Sequence, residues 1–192
     1  MLHDTETFPV LRTPRLDLVE TVHAHAGDMF KLFSDKRVTE FYPMIPINDK
    51  NEMVPVIESF SIRFKEQQGI RWGIALKGSS AIIGTIGFHT YTEGHKASIV
   101  FALMPEYHGK GYASEAIQEV LKFGFEKLGL KRIEAEVMPG NTASEQVLVK
   151  TGFSYEGLLR DWMHWNKQYY DINMYSIVKD LSHPLQRRGE IT

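Results

Sequence analysis

The chain has 192 residues, 43% of them apolar and 24% charged, a balance that suits one folded domain and excludes disordered or collagen-like material. Lys and Arg number 22 against 24 Asp and Glu, so the formal charge is −2, and no global basic field exists to hold nucleic acid or an anionic membrane. Cysteine is absent, which removes disulfides, Cys-ligated zinc and a cysteine nucleophile.

The start, MLHDTETFPV, is acidic rather than basic and apolar, and no apolar run approaches ~18 residues, so the expectation is a cytoplasmic protein with no membrane span. We expect a single domain over 1–192, with 184–192 as a frayed tail. Leu16 and Leu18 alternate with Arg15 and Asp17 as a strand, and Ala26, Met29, Phe30 and Phe33 then recur at helical spacing. Residues 37–48 are aromatic and broken by proline. Met53, Ile57, Phe60 and Phe64 predict a second helix within 49–68, Pro55 being tolerable only in its first turns. Residues 71–77 and 81–90, joined by Gly78-Ser79-Ser80, read as an antiparallel hairpin. Ala97, Ile99, Phe101 and Leu103 share one face of a third strand.

Pro105 ends that strand, and Ala113, Ala116, Ile117, Val120, Leu121, Gly124 and Leu128 form one face of a helix over 112–128, with Gly129 as its stop. Residues 131–138 alternate as a strand, and 142–150 form a short helix closed by Gly152. Residues 153–160 and 163–179 read as two more strands. The sum is an α+β fold around a mostly antiparallel sheet of about seven strands, flanked by about four helices.

The stretch from Leu103 to Ser114 joins a strand end, a glycine loop and a helix start. Gly109 and Gly111 allow backbone angles and a close approach that a Cβ would block, and a helix N-terminus adds unpaired N–H groups with partial positive charge. Such a loop can cradle phosphate, or it can be a plain glycine turn into a helix, and this segment alone leaves both open. A nucleotide P-loop is excluded because Met104 stands where its first glycine belongs and Gly111 follows Lys110. Downstream, Asn141 suits a helix N-cap and Gly152 a C-terminal stop, which explains both without a ligand.

Taken in order, Thr13-Pro14-Arg15-Leu16-Asp17-Leu18, EYHGKGYASEA at 106–116, NTASEQVLVKTGF at 141–153, Glu156-Gly157-Leu158-Leu159-Arg160 and Tyr170-Asp171-Ile172-Asn173-Met174-Tyr175 resemble the GNAT acetyltransferases, and more narrowly their RimJ/RimL-like branch, which acetylates protein N-terminal amines. The resemblance covers nearly the whole chain and implies acetyl-CoA as acetyl donor, with no metal. It implies that the backbone N–H groups of Gly109, Lys110, Gly111, Tyr112, Ala113 and Ser114 hold the pyrophosphate of coenzyme A. It further implies that the strand end at Leu103 and Met104 splays from strand 132–138 to admit pantetheine, and that Asn141 and Ser144 lie near the thioester, with Ser144 donating to the departing thiolate. A backbone N–H at Leu103 would meet the oxyanion. The acceptor implied is a protein N-terminus of the ribosomal-protein type, with a small amine (antibiotic, polyamine or amino acid) and a CoA-binding protein without turnover as alternatives. Homodimers are frequent in such families.

The sequence departs from the family at two places. Glu106 stands where Gln or Arg is common, which removes a side-chain phosphate contact, and Ser98 stands where many relatives carry a carboxylate. Glu134 and Glu136, on one strand face, are candidate proton acceptors, and a solvated pair of carboxylates is the plainer reading of them. His164, between Trp162 and Trp165, is a further candidate because imidazole titrates near neutrality. An α-amine with pKa ~8 is already about a tenth neutral at pH 7, so a weak base is enough for it.

Overall fold

Alternating apolar residues and glycine turns produce β1 (Leu11–Arg12), β2 (Leu16–Glu20), β3 (Ile70–Leu76), β4 (Ile82–Thr92), β5 (Lys96–Leu103), β6 (Arg132–Val137), β7 (Ser154–Trp165) and β8 (Gln168–Val178). Residues 7–44 and 47–179 are described by this computed structural model, so the expected tail at 184–192 lies outside them. The strands join in one sheet in the order β1-β2-β3-β4-β5-β6-β8-β7. Every neighbouring pair is antiparallel except β5 with β6.

Helical spacing yields α1 (Ala26–Ser34), the one-turn α2 (Lys36–Thr39), α3 (Met53–Lys65), α4 (Tyr112–Glu126) and α5 (Thr142–Lys150). Pro55 sits in the first turn of α3, where its missing N–H costs no hydrogen bond. On one face of the sheet α4 buries Ala116, Ile117, Val120 and Leu121 against Leu18, Trp72, Ile86 and Phe88. On the other, α1 and α3 bury Met29, Phe33, Met53 and Ile57 against Ala75, Ile82 and Ala102. Each fully buried large side chain contributes roughly 1.5–3 kcal/mol of transfer free energy.

The sequence reading holds for the architecture and differs in count, with eight strands and five helices in place of about seven and about four. The added strand is the two-residue β1, too short to show a period. The boundary of the last hairpin also moves. β7 continues to Trp165 and turns at Asn166-Lys167, both at positive φ, whereas the sequence reading ends one strand at 160 and starts the next at 163. Asp161 adopts a φ of 51°, its N–H donates to the Asp171 carboxylate at 2.9 Å, and the ladder resumes at Met163 after this bulge.

Two irregularities open the sheet where the site lies. β5 and β6 pair only from Lys96↔Arg132 to Ser98↔Glu134, and beyond Ser98 the strands part. β4 bulges between Phe88 and Thr90, which aims His89 out of the ladder.

Candidate active site

The gap between β5 and β6 widens into a cleft of about 1190 Å³ that runs from the glycine loop to the segment after α2. Its donors follow from strand geometry. The Met104 N–H donates to the Ile83 carbonyl at 2.9 Å, so Leu103 and Gly84 form a pair without mutual hydrogen bonds, and the Leu103 N–H is turned away from β4 toward the gap. Two residues back, Phe101 is turned the same way. Met104 itself is spent: its N–H is used and its side chain is 6% exposed within the core under α1 and α3.

After β5 the chain makes a 3-10 turn at Pro105–Tyr107, and the His108 Nε2 stands 2.8 Å from the Leu103 carbonyl. Gly109 and Gly111 follow at φ 73° and 80°, left-handed values that suit glycine. The first backbone bond of α4 runs from the Glu115 N–H to the Gly111 carbonyl, so the N–H groups of Tyr112, Ala113 and Ser114 precede it, and Gly111 offers no side-chain cap. Unpaired donors without a capping side chain, at the positive end of a 15-residue helix and open to the cleft, suit an anionic ligand.

The loop is latched from the N-terminal strand. Glu115 Oε1 accepts from Thr13 Oγ1 at 2.6 Å and from the Arg15 N–H at 2.9 Å, and its Oε2 accepts from Arg15 Nε at 2.6 Å. Arg15 also donates to the Lys110 carbonyl at 3.0 Å and lies 4.7 Å from the centroid of the Tyr112 ring. Partial burial alone would push the Glu115 carboxyl up, but these hydrogen bonds and the guanidinium charge hold it below the usual range. The Thr13-Pro14-Arg15 signature therefore works structurally on a loop a hundred residues away, a role no local pattern reveals.

On the opposite wall Asn141 caps α5, its Oδ1 accepting from the Ser144 N–H at 3.2 Å, and both residues line the cleft. Of the residues expected from sequence, Leu103, Gly109, Gly111, Tyr112, Ala113, Ser114, Asn141 and Ser144 are brought together here. Lys110 does not line the cleft; its ammonium lies 5.4 Å over the Tyr107 ring. Glu106 is exposed and also outside it. His164 is exposed near the tip of the last hairpin, its ring centroid 4.7 Å from that of Tyr169, and does not reach the cleft.

The two candidate carboxylates of β6 separate sharply. Glu134 accepts from Lys96 at 3.0 Å and Arg132 at 2.7 Å, and these bonds lower its pKa against the opposing effect of burial. Glu136 is the only carboxylate lining the cleft among the described residues. Glu136 is an exposed residue, yet partial desolvation of its carboxyl against the cleft wall pushes it above the usual range, with Trp162 and the Lys96 charge opposing and the Glu134 charge adding. Beyond it stand Ser98, Val100, His89 and Tyr42.

The model of the acetyltransferase (GNAT) domain matches residues 15–154. The chain belongs to the GNAT family. As a member, it is an acetyl-CoA-dependent N-acetyltransferase. It is similar to the N-acetyltransferase YoaA of Bacillus subtilis, 41% identical over 90% of this chain and 98% of YoaA. Among solved structures it is similar to a GNAT acetyltransferase from Bacillus anthracis, with TM-score 0.78, 26% identity and coverage of 88% of this chain and 98% of that one. It also shares its fold with RimL, the ribosomal L7/L12 α-N-protein acetyltransferase in complex with coenzyme A, with TM-score 0.78 and 17% identity over 88% of this chain and 98% of RimL. Among the described residues no His, Cys, Asp or Glu cluster is placed to hold a metal, and no helix is long and apolar enough to cross a membrane.

Proposed function

We propose that this GNAT enzyme acetylates the α-amine of a protein or peptide N-terminus, by direct attack with donor and acceptor bound together. The observation that carries the reading is a single cleft with unpaired backbone donors at one end and one carboxylate, Glu136, facing the other. Acetyl-CoA, when bound, supplies the thioester carbonyl as electrophile. The loop from Gly109 to Ser114 would hold its pyrophosphate, since the donors are free and the glycines leave room. Leu103 and Phe101 would offer backbone groups along the parted edge of β5.

Glu136 takes the amine's proton in this scheme. A carboxyl raised by desolvation is a better acceptor than an ordinary one, and an α-amine near ~8 asks less of it than a lysine near ~10.4. The Leu103 N–H, free of a strand partner, donates to the oxygen on which negative charge builds. Ser144, at the start of α5, donates to the departing sulfur. Holding both reactants in one cleft supplies much of the rate.

Support for a protein N-terminus comes from RimL, which is named for such a substrate, and from the width of an open cleft walled by Phe41, Tyr42 and Met163. The test is mass spectrometry of a peptide with a free N-terminus and an internal lysine after incubation with acetyl-CoA. Acetyl on the N-terminus is expected; acetyl chiefly on the lysine overturns the reading. Turnover of small amines alone would move the acceptor to the small-molecule class.

A further inference from the structure

Arg71 is the least expected residue near the cleft. It lies on β3, is 8% exposed, and among the described residues forms no ion pair. Its Nη1 donates to the Val100 carbonyl at 3.2 Å, its Nη2 donates to the Tyr42 hydroxyl, and its Nε has no partner. The ring of Phe60 lies 5.5 Å from its Cζ. All of these partners are neutral, and a guanidinium taken out of water without an anion is costly unless something else compensates it.

The register shows why the side chain reaches so far. Arg71 pairs with Gly87, and Gly87 with Val100, so all three share one face. Gly87 carries no side chain on that face, so nothing of β4 stands between Arg71 and β5, and a Cβ there would itself meet the β3 backbone, 2.0 Å from the Ile70 carbonyl. The guanidinium therefore ends directly behind the cleft wall formed by Tyr42, Val100 and His89. Arg63 adds a second guanidinium there, donating to the His89 carbonyl and to no carboxylate among the described residues.

Extending the β5–β6 register two residues past Ser98↔Glu134 sets Val100 level with Glu136 across the gap. Because the strands have parted there, an anion at Arg71 and an amine at Glu136 would be separated by more than the ~5 Å of one paired-strand spacing. The amine and carboxylate of one α-amino acid stand closer than this. An acidic side chain on the first or second residue of an extended peptide spans it, at ~3.5 Å per residue.

We propose that Arg71 is the counter-ion for a carboxylate of the acceptor, so that the substrate is an α-amine whose own or neighbouring side chain is acidic. This rests on the α-amine reading above and narrows it. Tyr42, carried on the segment after α2 and not on the sheet, covers the guanidinium and gives way to or shares it with the incoming carboxylate. The bidentate fork of Arg suits a carboxylate better than an ammonium point charge does.

The experiment compares acetyl-CoA turnover and calorimetric binding for peptides differing only by Glu against Gln at the first or second position, alongside free glutamate against free glutamine. The wild-type enzyme should favour the acidic peptide by at least ~10-fold in kcat/KM. Arg71→Lys should keep part of that ratio and Arg71→Met should abolish it, with acetyl-CoA affinity retained in both. Should either variant fail to fold, the wild-type ratio alone decides. Equal kcat/KM and equal binding for acid and amide members overturn the inference. Discrimination confined to the free amino acids, with no peptide turned over, keeps the carboxylate site and overturns the peptide N-terminus instead.

Discussion

Replacing Glu136 by Gln tests the proposed chemistry most directly, because it removes a charge while keeping the shape of the side chain on the cleft wall. Glu136 is the only carboxylate lining the cleft among the described residues, so no neighbouring acid can take over its task. General-base contributions run from ~10² to ~10⁴, and an α-amine that is already a tenth neutral at pH 7 draws on the lower part of that range. The expected fall in kcat/KM is about 10²-fold, or about 2.7 kcal/mol of barrier. The KM for acetyl-CoA should not move, since its proposed donors lie on the glycine loop. In the wild type the acidic limb of the pH profile should inflect above the ordinary carboxylate value, in the direction burial shifts this group. In the variant only the limb of the amine itself, near ~8, should remain. Stability separates this from unfolding. A carboxyl raised in the folded state makes folding less favourable as pH climbs through its unfolded and folded values, so Glu136→Gln at pH 7 should hold or raise Tm. Steady-state kinetics from pH 5 to 9 supply the readout, and a variant within threefold of wild type with the acidic limb intact would refute Glu136 as proton acceptor.

Gly111→Val places a β-branched residue at φ 80° with its Cβ 3.3 Å from Arg15 Nη2, which costs about 1–2 kcal/mol of backbone strain and disturbs the Arg15 latch. Calorimetry on the folded variant should show acetyl-CoA affinity lost by ~10-fold or more, and unchanged affinity would remove the loop from the donor site. Ser144→Ala should lower kcat more than it raises the acetyl-CoA KM, because the proposed contact strengthens as charge reaches sulfur; an unaltered kcat would leave Ser144 as a structural part of α5. Hydrogen bonds from Arg132 and Ser176 bring the Glu156 carboxyl down to about 2, so its contribution to stability is present at neutral pH and above its unfolded value near 4.5, and is lost as pH falls toward 2. Glu156→Gln should therefore flatten the acid limb of a Tm-against-pH curve, and an unchanged slope would count against that ion pair.

Local pattern determined most of the elements of this protein. Periods of two and near 3.6, with prolines and glycines at the ends, place α1, α3, α4 and the strands from β2 to β6, because each of these elements buries one face against the sheet or the helices over it. The spaced motifs around Gly109, Gly111, Asn141 and Ser144 also pointed to the cleft that the fold assembles from them. What only the tertiary structure decided are contacts between distant strands. Glu134 and Glu136 look alike in sequence, yet Lys96 from β5 and Arg132 occupy one and leave the other facing the cleft. His164 looks like a proton carrier and sits outside, because Asp161 bulges the strand and the hairpin runs on to Asn166. Arg71 reads as one charge in a strand, and becomes a buried cation behind the acceptor wall only because Gly87 lets it cross to Val100. Spacing along a chain reports which face a residue shares with its neighbours; which charge finds a partner depends on residues that folding brings from tens of positions away.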